Sequence, residues 1–479
     1  MIENTKKRRK QGKYKGFGCS EGGVNMLSEI KYIRKRYLLI CIAICVISAL
    51  LICSYKVFGQ NAAADQNVTL LYVKHILYGA FVGIIATVGL YCLIKVIFNE
   101  SNAMSSRIEL IDKITLKIFK RRFYGEQLYL IALAIFVFNG MIGDTYFNYP
   151  RGWFGGILTR LCVLLLILKI IFFDKYKKYE WIWPAVLVAA SLGCYIATRS
   201  WLFVTVFFII EAKGVNFERI VKVSFITLVS AIIMTFVASL PYIELIEIGT
   251  RNGHAGGLRY GMGFRHPNTF GGAVFFTELS GLFIVRNHIK TRHIILIAIS
   301  AVISLILTES RWNVLCIAFA LMGVMLVTFV RKYADDKVNH IFQKILFGIS
   351  FVSCFSTTAL YFVWSWNYDI ERYGDDVEKW WGTFASRLML GYHALHEVPV
   401  TLFGIDYESQ FSYALDNSFL YALFYYGVII LVFSIALFMQ SCYRNRKDMF
   451  FTMLLIVLVL HYFMYERALC IYMNRRLSR

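Results

Sequence analysis

Residues 293–330 read HIILIAISAVISLILTESRWNVLCIAFALMGVMLVTFV, and this stretch decides the class of fold. Two apolar runs, 293–308 and 312–330, are separated only by Glu309, Ser310 and Arg311. A helix of about 20 apolar residues crosses the hydrocarbon core of a bilayer, which is about 30 Å thick. The stretch therefore predicts two membrane-spanning helices joined by a tight polar turn at the membrane surface.

Similar apolar runs recur along the whole chain of 479 residues. The chain is 58% hydrophobic and 17% charged, whereas a soluble domain carries about 25% charged residues. Its five prolines suit long uninterrupted helices. The predicted fold class is an all-α polytopic integral membrane protein with about 12 or 13 transmembrane helices, because the short run 201–212 is ambiguous. The predicted spans are 37–56, 76–98, 125–142, 156–173, 181–197, 201–212, 220–240, 269–286, 293–308, 312–330, 343–364, 416–438 and 449–465.

The net charge of +21 comes from basic residues in the short segments between apolar runs. Because positive residues mark the cytoplasmic ends of membrane helices, this distribution predicts topology and argues against a nucleic-acid partner. The basic segment 1–36 precedes the first span, lacks the cleavage site of a signal peptide, and is expected to lie in the cytoplasm. A single polytopic membrane domain, 37–479, is predicted to follow it.

Alternation of the charged segments predicts which loops face outward. The outer segments are 143–155, 241–268, 308–311 and 365–415. The acidic loop 365–415, just ahead of the last two helices, is the longest and is expected to form a cap. The C-terminal tail breaks the pattern, because Arg475 and Arg476 are basic where the helix count predicts the outer side. The side of the tail therefore stays open.

Eleven cysteines show neither a CxxC pair nor metal-type spacing, and most lie inside apolar runs. They are interpreted as small apolar residues. No disulfide, metal site or other cofactor is predicted.

The outer segment 249–268 is unusually rich in glycine and carries Arg251, Arg259 and Arg265. Glycine lets the backbone approach a ligand closely. A proline opens the next helix just after His266, and a helix N-terminus beside arginines favours anion binding. The segment therefore predicts an anion site, with a basic loop that contacts lipid phosphates as the alternative.

Five more polar residues are candidates, and all of them except Arg387 have a structural alternative. Arg311 begins a span and could instead extend its charge to the headgroups. Arg387 lies in the second half of the acidic loop. Asp416 and Asn417 begin another span, where either is a natural N-cap. Glu278 falls inside a span, which makes it a functional candidate by default, although pairing with a neighbouring helix would also explain it.

Candidates from four separate stretches converge on one face by the predicted topology. They are His266, Arg265, Arg311, Arg387 and Asp416. Guanidinium groups bind phosphates in a bidentate manner, so this set suits a diphosphate leaving group held at a membrane surface. A lipid-linked diphosphate sugar is the predicted ligand.

Four short motifs, in this order, resemble signatures of the O-antigen polymerase and O-antigen ligase superfamily. Gly263–Gly271 (GFRHPNTFG) is similar to the GxxHPNxxG signature. Glu309–Leu315 (ESRWNVL) is similar to the SR(G/W)xxL element. The resemblance extends over about residues 125–470.

The other two motifs lie around the large outer loop. Arg387 followed by Pro399–Gly404 (PVTLFG) resembles the loop pattern of the family. Asp416–Leu420 (DNSFL) with Gly427 resembles its HNxxL…G motif. The ligases carry a histidine where this chain has Asp416, and this departure favours a polymerase.

The resemblance implies a GT-C-like membrane transferase that uses a sugar chain on undecaprenyl diphosphate and needs no metal. Arg265, Arg311 and Arg387 would hold the diphosphate and stabilise the charge of the leaving group. Asp416 would be the base for the acceptor hydroxyl, and His266 a second candidate base or a positioning group. The remaining expected substrate-binding residues are Arg251, Arg259, Asn268, Glu278 and Asn417.

The hypothesis from the sequence is a polymerase that joins undecaprenyl-diphosphate-linked oligosaccharide repeat units into a surface polysaccharide. It would act on the outer face of the bacterial cytoplasmic membrane, and capsule, exopolysaccharide and O-antigen are all candidate products. The enzymatic alternative is a ligase that moves finished glycan to another acceptor. The alternative of another class is a flippase or transporter for lipid-linked oligosaccharides. Membrane lipid is an expected partner, and flippase and chain-length regulator proteins are candidate partners.

Overall fold

The computed structural model describes residues 88, 89, 93, 124–147, 153–174, 178–240, 246–250, 258–369, 382–407, 415 and 417–463. All of them belong to one compact unit, 85–479. The predicted cytoplasmic segment 1–36, the span 37–56 and most of the span 76–98 lie outside the described residues.

The described chain is mostly helical, and most of its helices end within a few residues of the predicted spans. The helices are α1 (Gly125–Gly143), α2 (Trp153–Phe172), α3 (Ile182–Thr198), α4 (Leu202–Glu211), α5 (Phe217–Ser239), α6 (Pro267–Val285), α7 (Thr291–Thr308), α8 (Arg311–Tyr333), α9 (Asp336–Trp366), α10 (Gly382–Glu397), α11 (Ser418–Tyr421), α12 (Gly427–Arg444) and α13 (Met449–Phe463). A 3₁₀ turn, Lys178–Trp181, precedes α3, and a π-helical turn, Ala422–Tyr426, joins α11 to α12.

Eight helical segments of the described chain are long and apolar enough to cross a membrane. They are α1, α2, α5, α6, α7, α8, α9 and the continuous segment from α11 to α12. The apolar helices α3, α4 and α13 are shorter, and α4 spans only about 15 Å. Arg199 adopts a left-handed conformation, with φ of 57°, and separates α3 from α4. The ambiguous pair of runs is therefore two helices, and the architecture is that of a multi-pass membrane protein.

The outer surface of the helix bundle is apolar, as expected for contact with lipid. On α7, Leu296 is 63% exposed and Ile306 is 68% exposed. Contiguous exposed apolar surface of this kind is rare on soluble monomers. By contrast, most residues of α1 are buried. The bundle therefore has a protein-packed interior and a lipid-facing exterior.

Two elements lie outside the predicted apolar runs. Strands β1 (Glu247–Thr250) and β2 (Leu258–Tyr260) form an antiparallel ribbon in which Glu247 pairs with Tyr260. The all-α spans thus carry a small ribbon in the segment that the sequence predicts as a loop. Helix α10 lies in the predicted loop 365–415, which is therefore partly helical and packs against α9.

Helix α13 lies in the interior of the bundle and packs against α6, α8 and α9. Its sequence, MFFTMLLIVLVLHYF, has no polar face. A helix that is apolar all round is expected to be buried on every side. Its last turn, Leu460–Phe463, is the element around which the candidate site is built.

Buried ion pairs join the helix ends that the charge pattern predicts to be cytoplasmic. The Lys169 ammonium group lies 2.5 Å from Asp174 Oδ2 and 3.2 Å from Glu211 Oε2. Glu126 accepts a hydrogen bond from the Arg219 guanidinium group. Charges buried at a membrane protein's helix ends are normally paired in this way. These contacts connect α1 with α5 and α2 with α4, at the end of the bundle opposite the candidate site.

Candidate functional site

The ends of α6, α7 and α8 meet at the turn 308–311. Gly271, in the second turn of α6, packs directly on this turn. A Cβ atom at Gly271 would lie 2.7 Å from Asn313 Nδ2 and 3.1 Å from Ser310 Cβ. A side chain at this position would displace the Asn313 amide or move the two helices apart. The contact joins the first two motifs, Gly263–Gly271 and Glu309–Leu315.

Two of the candidate arginines connect the segment before α6 to the ends of other helices. Arg259 Nε donates to the carbonyl of Thr308 at 2.8 Å, and Arg259 Nη2 donates to Asn268 Oδ1 at 2.7 Å. Arg265 Nε donates to the carbonyl of Thr145, just after α1, at 2.9 Å. A guanidinium group has five N–H donors, so Arg265 keeps donors for a ligand. The contacts of the two arginines nevertheless give them a structural role that the sequence does not predict.

His266 is the N-cap of α6. Its backbone is extended, and its Nδ1 atom accepts a hydrogen bond from the N–H of Asn268 at 3.2 Å. The lone pair of Nδ1 is thereby used to cap the helix. Of the two predicted roles of His266, the geometry favours positioning over that of a base.

Arg311 is exposed at the start of α8, and its guanidinium group makes no hydrogen bond or ion pair with any described residue. Ser310, at the N-cap position, does not cap the helix with its side chain. Within the described part of the chain, the backbone N–H groups of Trp312 and Asn313 have no acceptor. Free N–H groups at a helix start attract anions. Arg311 and this turn therefore form a candidate anion site.

The first turns of α8 and α11 are both attached to the last turn of α13. Trp312 Nε1 donates to the carbonyl of Leu460 at 3.2 Å. Asn417 Nδ2 donates to the carbonyl of Phe463 at 2.7 Å. The second and fourth motifs are therefore both hydrogen-bonded to the last turn of α13.

Asn417 is the N-cap of α11, which is the structural alternative predicted for it, and its expected role in substrate binding stays a prediction. Its Oδ1 accepts from the N–H groups of Phe419 at 2.9 Å and Leu420 at 3.0 Å. Its amide nitrogen is used by α13, and the residue is completely buried. The preceding residue, Asp416, lies outside the described residues, as does Arg251.

Arg387 lies on α10 and is 9% exposed. Its carbonyl accepts a hydrogen bond from the Tyr361 hydroxyl of α9 at 2.9 Å. The Tyr361 ring packs edge-on against Phe463, with centroids 5.3 Å apart. The helix that carries Arg387 is therefore fixed to the same end of α13 as the starts of α8 and α11.

The third and fourth motifs are also in contact through two glycines. Gly404 and Gly427 have φ values of 82° and 88°, which side-chain-bearing residues rarely adopt. A Cβ atom on either glycine would overlap backbone atoms of the other segment. The N–H of Ile405 donates to the carbonyl of Phe424 at 2.9 Å across this interface.

Glu278 is not brought to this group of helix ends. It lies about 16 Å along α6 from Pro267, at 1.5 Å per residue. The residue is 7% exposed, and its Oε1 atom has no hydrogen-bond partner in the described chain. Ser300 of α7 lies near its carboxyl group. Substrate binding and an interaction with a neighbouring helix both stay predictions for Glu278.

Sequence reasoning missed two residues that organise the site, Tyr361 and His461. His461 is completely buried in α13 and bonds to Asn313. An ionisable side chain in an apolar run is a signal that could have identified it. Tyr361 carries no comparable signal, because tyrosines are frequent in this chain and its partner is a backbone carbonyl.

No protein-family model, curated protein or solved structure matches this chain. The interpretation of the site therefore depends on its own residues and on how the fold combines them.

Proposed function

We propose that this chain is a membrane glycosyltransferase, and specifically a polymerase of oligosaccharide repeat units linked to undecaprenyl diphosphate. It would lengthen a surface polysaccharide on the outer face of the bacterial cytoplasmic membrane. The product would be a capsule, an exopolysaccharide or an O-antigen.

The observation that carries the proposal is the setting of Arg311. Its guanidinium group is exposed and has no partner among the described residues, and it lies beside free N–H groups at the start of α8. Guanidinium and helix N-termini both favour phosphate. The segments around it are the four motifs of the resemblance, which contact one another or share the end of α13.

In the proposed reaction, a sugar hydroxyl of the acceptor attacks the anomeric carbon of the donor chain. The bond from that carbon to the diphosphate oxygen breaks, and undecaprenyl diphosphate leaves. The hydroxyl proton passes to Asp416. Arg311, with Arg387 and Arg265, would stabilise the negative charge that develops on the diphosphate.

The two alternatives, a ligase and a flippase, would require different residues. A ligase would be expected to carry a histidine in place of Asp416. A flippase would be expected to place charges along several spans. The charged side chains of the described spans lie mostly near helix ends, which supports an enzyme at one membrane face.

Reconstitution of the purified full chain in vesicles tests the proposal against a flippase. The probe is the pool of lipid-linked repeat units extracted from the host cells. We expect glycans of two or more repeats together with free lipid diphosphate, because each new glycosidic bond releases one carrier. Empty vesicles and vesicles with Arg311→Ala are the controls. Movement of the probe between leaflets with no change in glycan length would contradict the proposal.

A further inference from the structure

His461 has an environment that its position in an apolar helix does not predict. The residue is completely buried, and its ring stacks on Phe275 with centroids 3.9 Å apart and planes 4° apart. Phe276 contacts the same ring edge-on at 5.2 Å. Removing a polar side chain from water in this way is costly unless it is hydrogen-bonded. A buried histidine here therefore requires a compensating contact.

That contact begins a chain of hydrogen bonds that ends beside Arg311. The His461 Nε2 atom lies 2.8 Å from Asn313 Oδ1. Asn313 Nδ2 donates to Ser310 Oγ, also at 2.8 Å. Since the Asn313 amide nitrogen faces the hydroxyl, its oxygen faces the ring, and Nε2 of His461 carries the hydrogen. Three side chains thus connect α13 to the residue that precedes Arg311.

The hydrogen bonds also explain why the start of α8 is not capped. A serine at an N-cap normally accepts from the backbone N–H of the second or third helical residue. Here the Ser310 hydroxyl accepts from the Asn313 side chain instead. The backbone N–H of Asn313 consequently has no acceptor within the described residues. The chain from His461 therefore keeps open the turn that carries Arg311.

The opposite side of this turn is fixed by packing. Gly271 of α6 leaves no room for Asn313 and Ser310 to move towards it, because even a Cβ there would lie 2.7 Å from Asn313 Nδ2. The turn is thus confined between α6 and the hydrogen bond from α13. The hydrogen bond can be tested separately from the packing. His461 can be replaced by a side chain that keeps the ring contacts and lacks the polar atom.

We infer that His461 is a positioning residue, which acts through Asn313 and Ser310 to hold Arg311 and the open start of α8 in the geometry that binds the diphosphate. This inference rests on the proposed function. It adds a buried residue of α13 to a site otherwise built from helix ends and loops.

The test compares His461→Phe with His461→Gln in the vesicle assay. Phenylalanine keeps the stacking on Phe275 and removes the donor, and we expect the rate of glycan extension to fall about 10- to 100-fold, as for a misplaced binding group. Glutamine has an amide N–H at a similar distance from the backbone, and we expect it to restore the rate to within about 3-fold of the wild type. In the Arg311→Ala background, His461→Phe should have almost no further effect, since coupled residues are non-additive.

Each other outcome overturns the inference. Wild-type rates in His461→Phe, with Arg311→Ala inactive, would remove His461 from the site and leave the proposed function intact. Equal losses in both variants, with a lower midpoint of thermal unfolding, would assign a purely structural role. If His461→Phe does not insert, Ser310→Ala is measured instead, and a wild-type rate there would also contradict the inference. Full activity of Arg311→Ala would instead contradict the site of the proposed function.

Discussion

Replacing Arg311 by alanine is expected to lower the rate of glycan extension about 10²- to 10³-fold, the loss typical when one charge-stabilising donor is removed from a transition state. The side chain is exposed and has no partner among the described residues, so its loss leaves no buried group unpaired. The midpoint of thermal unfolding and the amount of inserted protein should stay at the wild-type level. The rate is measured as labelled repeat units joined per minute in vesicles.

The matched control is Arg331→Ala, at the other end of the same helix. Arg331 is also surface-exposed, and its guanidinium group lies 3.5 Å from Asp448 Oδ1. Its substitution removes the same charge from α8 without affecting the end that carries Arg311, and we expect a rate close to that of the wild type. Arg311→Lys should recover only part of the activity, because an ammonium group cannot bind phosphate in the bidentate manner of arginine. Equal rates for Arg311→Ala and Arg331→Ala would exclude Arg311 from the site.

Replacing Asp416 by asparagine is expected to reduce the rate about 10²- to 10⁴-fold, the range associated with loss of a general base. Asparagine has almost the same shape but cannot take the proton of the acceptor hydroxyl at neutral pH. The structural alternative, in which Asp416 caps α11, is already met by Asn417, whose Oδ1 accepts two backbone N–H groups. The single-turnover rate of bond formation is the measurement, because it isolates the chemical step.

The neighbouring variant Asn417→Ala is expected to lower stability more than activity. Loss of the cap should cost about 1 kcal/mol of stability, and loss of the hydrogen bond to Phe463 should add to this. The rate per folded molecule should change less than in Asp416→Asn. Full activity of Asp416→Asn would transfer the role of base to another residue.

Within the described residues the predicted apolar runs coincide with helices, because a membrane-spanning helix needs a hydrophobic run that matches the thickness of the bilayer core. The run 312–330 became α8, which begins at Arg311 and ends at Tyr333. The start of α9 was predicted seven residues late, at 343. Asp335 caps this helix, because its side chain accepts a hydrogen bond from the N–H of Val338. The first turns of the helix are polar, so hydropathy alone does not reveal them.

Helix α10 shows where the pattern fails. Its sequence, GTFASRLMLGYHALHE, mixes polar and apolar residues and contains no run long enough for a span. Helix α10 packs against α9, where the Tyr361 hydroxyl donates to the carbonyl of Arg387. Local composition does not reveal such contacts between distant segments.

The sequence named several residues that meet at this end of the bundle, but it did not predict what each of them contacts. Arg259, Arg265 and Arg311 look alike in the sequence, yet two donate to backbone carbonyls and only Arg311 has no partner among the described residues. That difference arises from which carbonyls the helix ends bring close. The cap formed by Asn417 and the buried contact of His461 likewise depend on burial and hydrogen bonding at the end of α13, which the sequence does not reveal.

The most direct test of the central claim is the length distribution of lipid-linked glycans in cells with and without this protein. A polymerase predicts that its loss leaves single repeat units on the lipid carrier at the outer face, and that the wild-type gene, but not one encoding Arg311→Ala, restores long chains. Accumulation of long lipid-linked chains would identify a ligase. Single units retained at the inner face would identify a flippase, and either result would contradict the account.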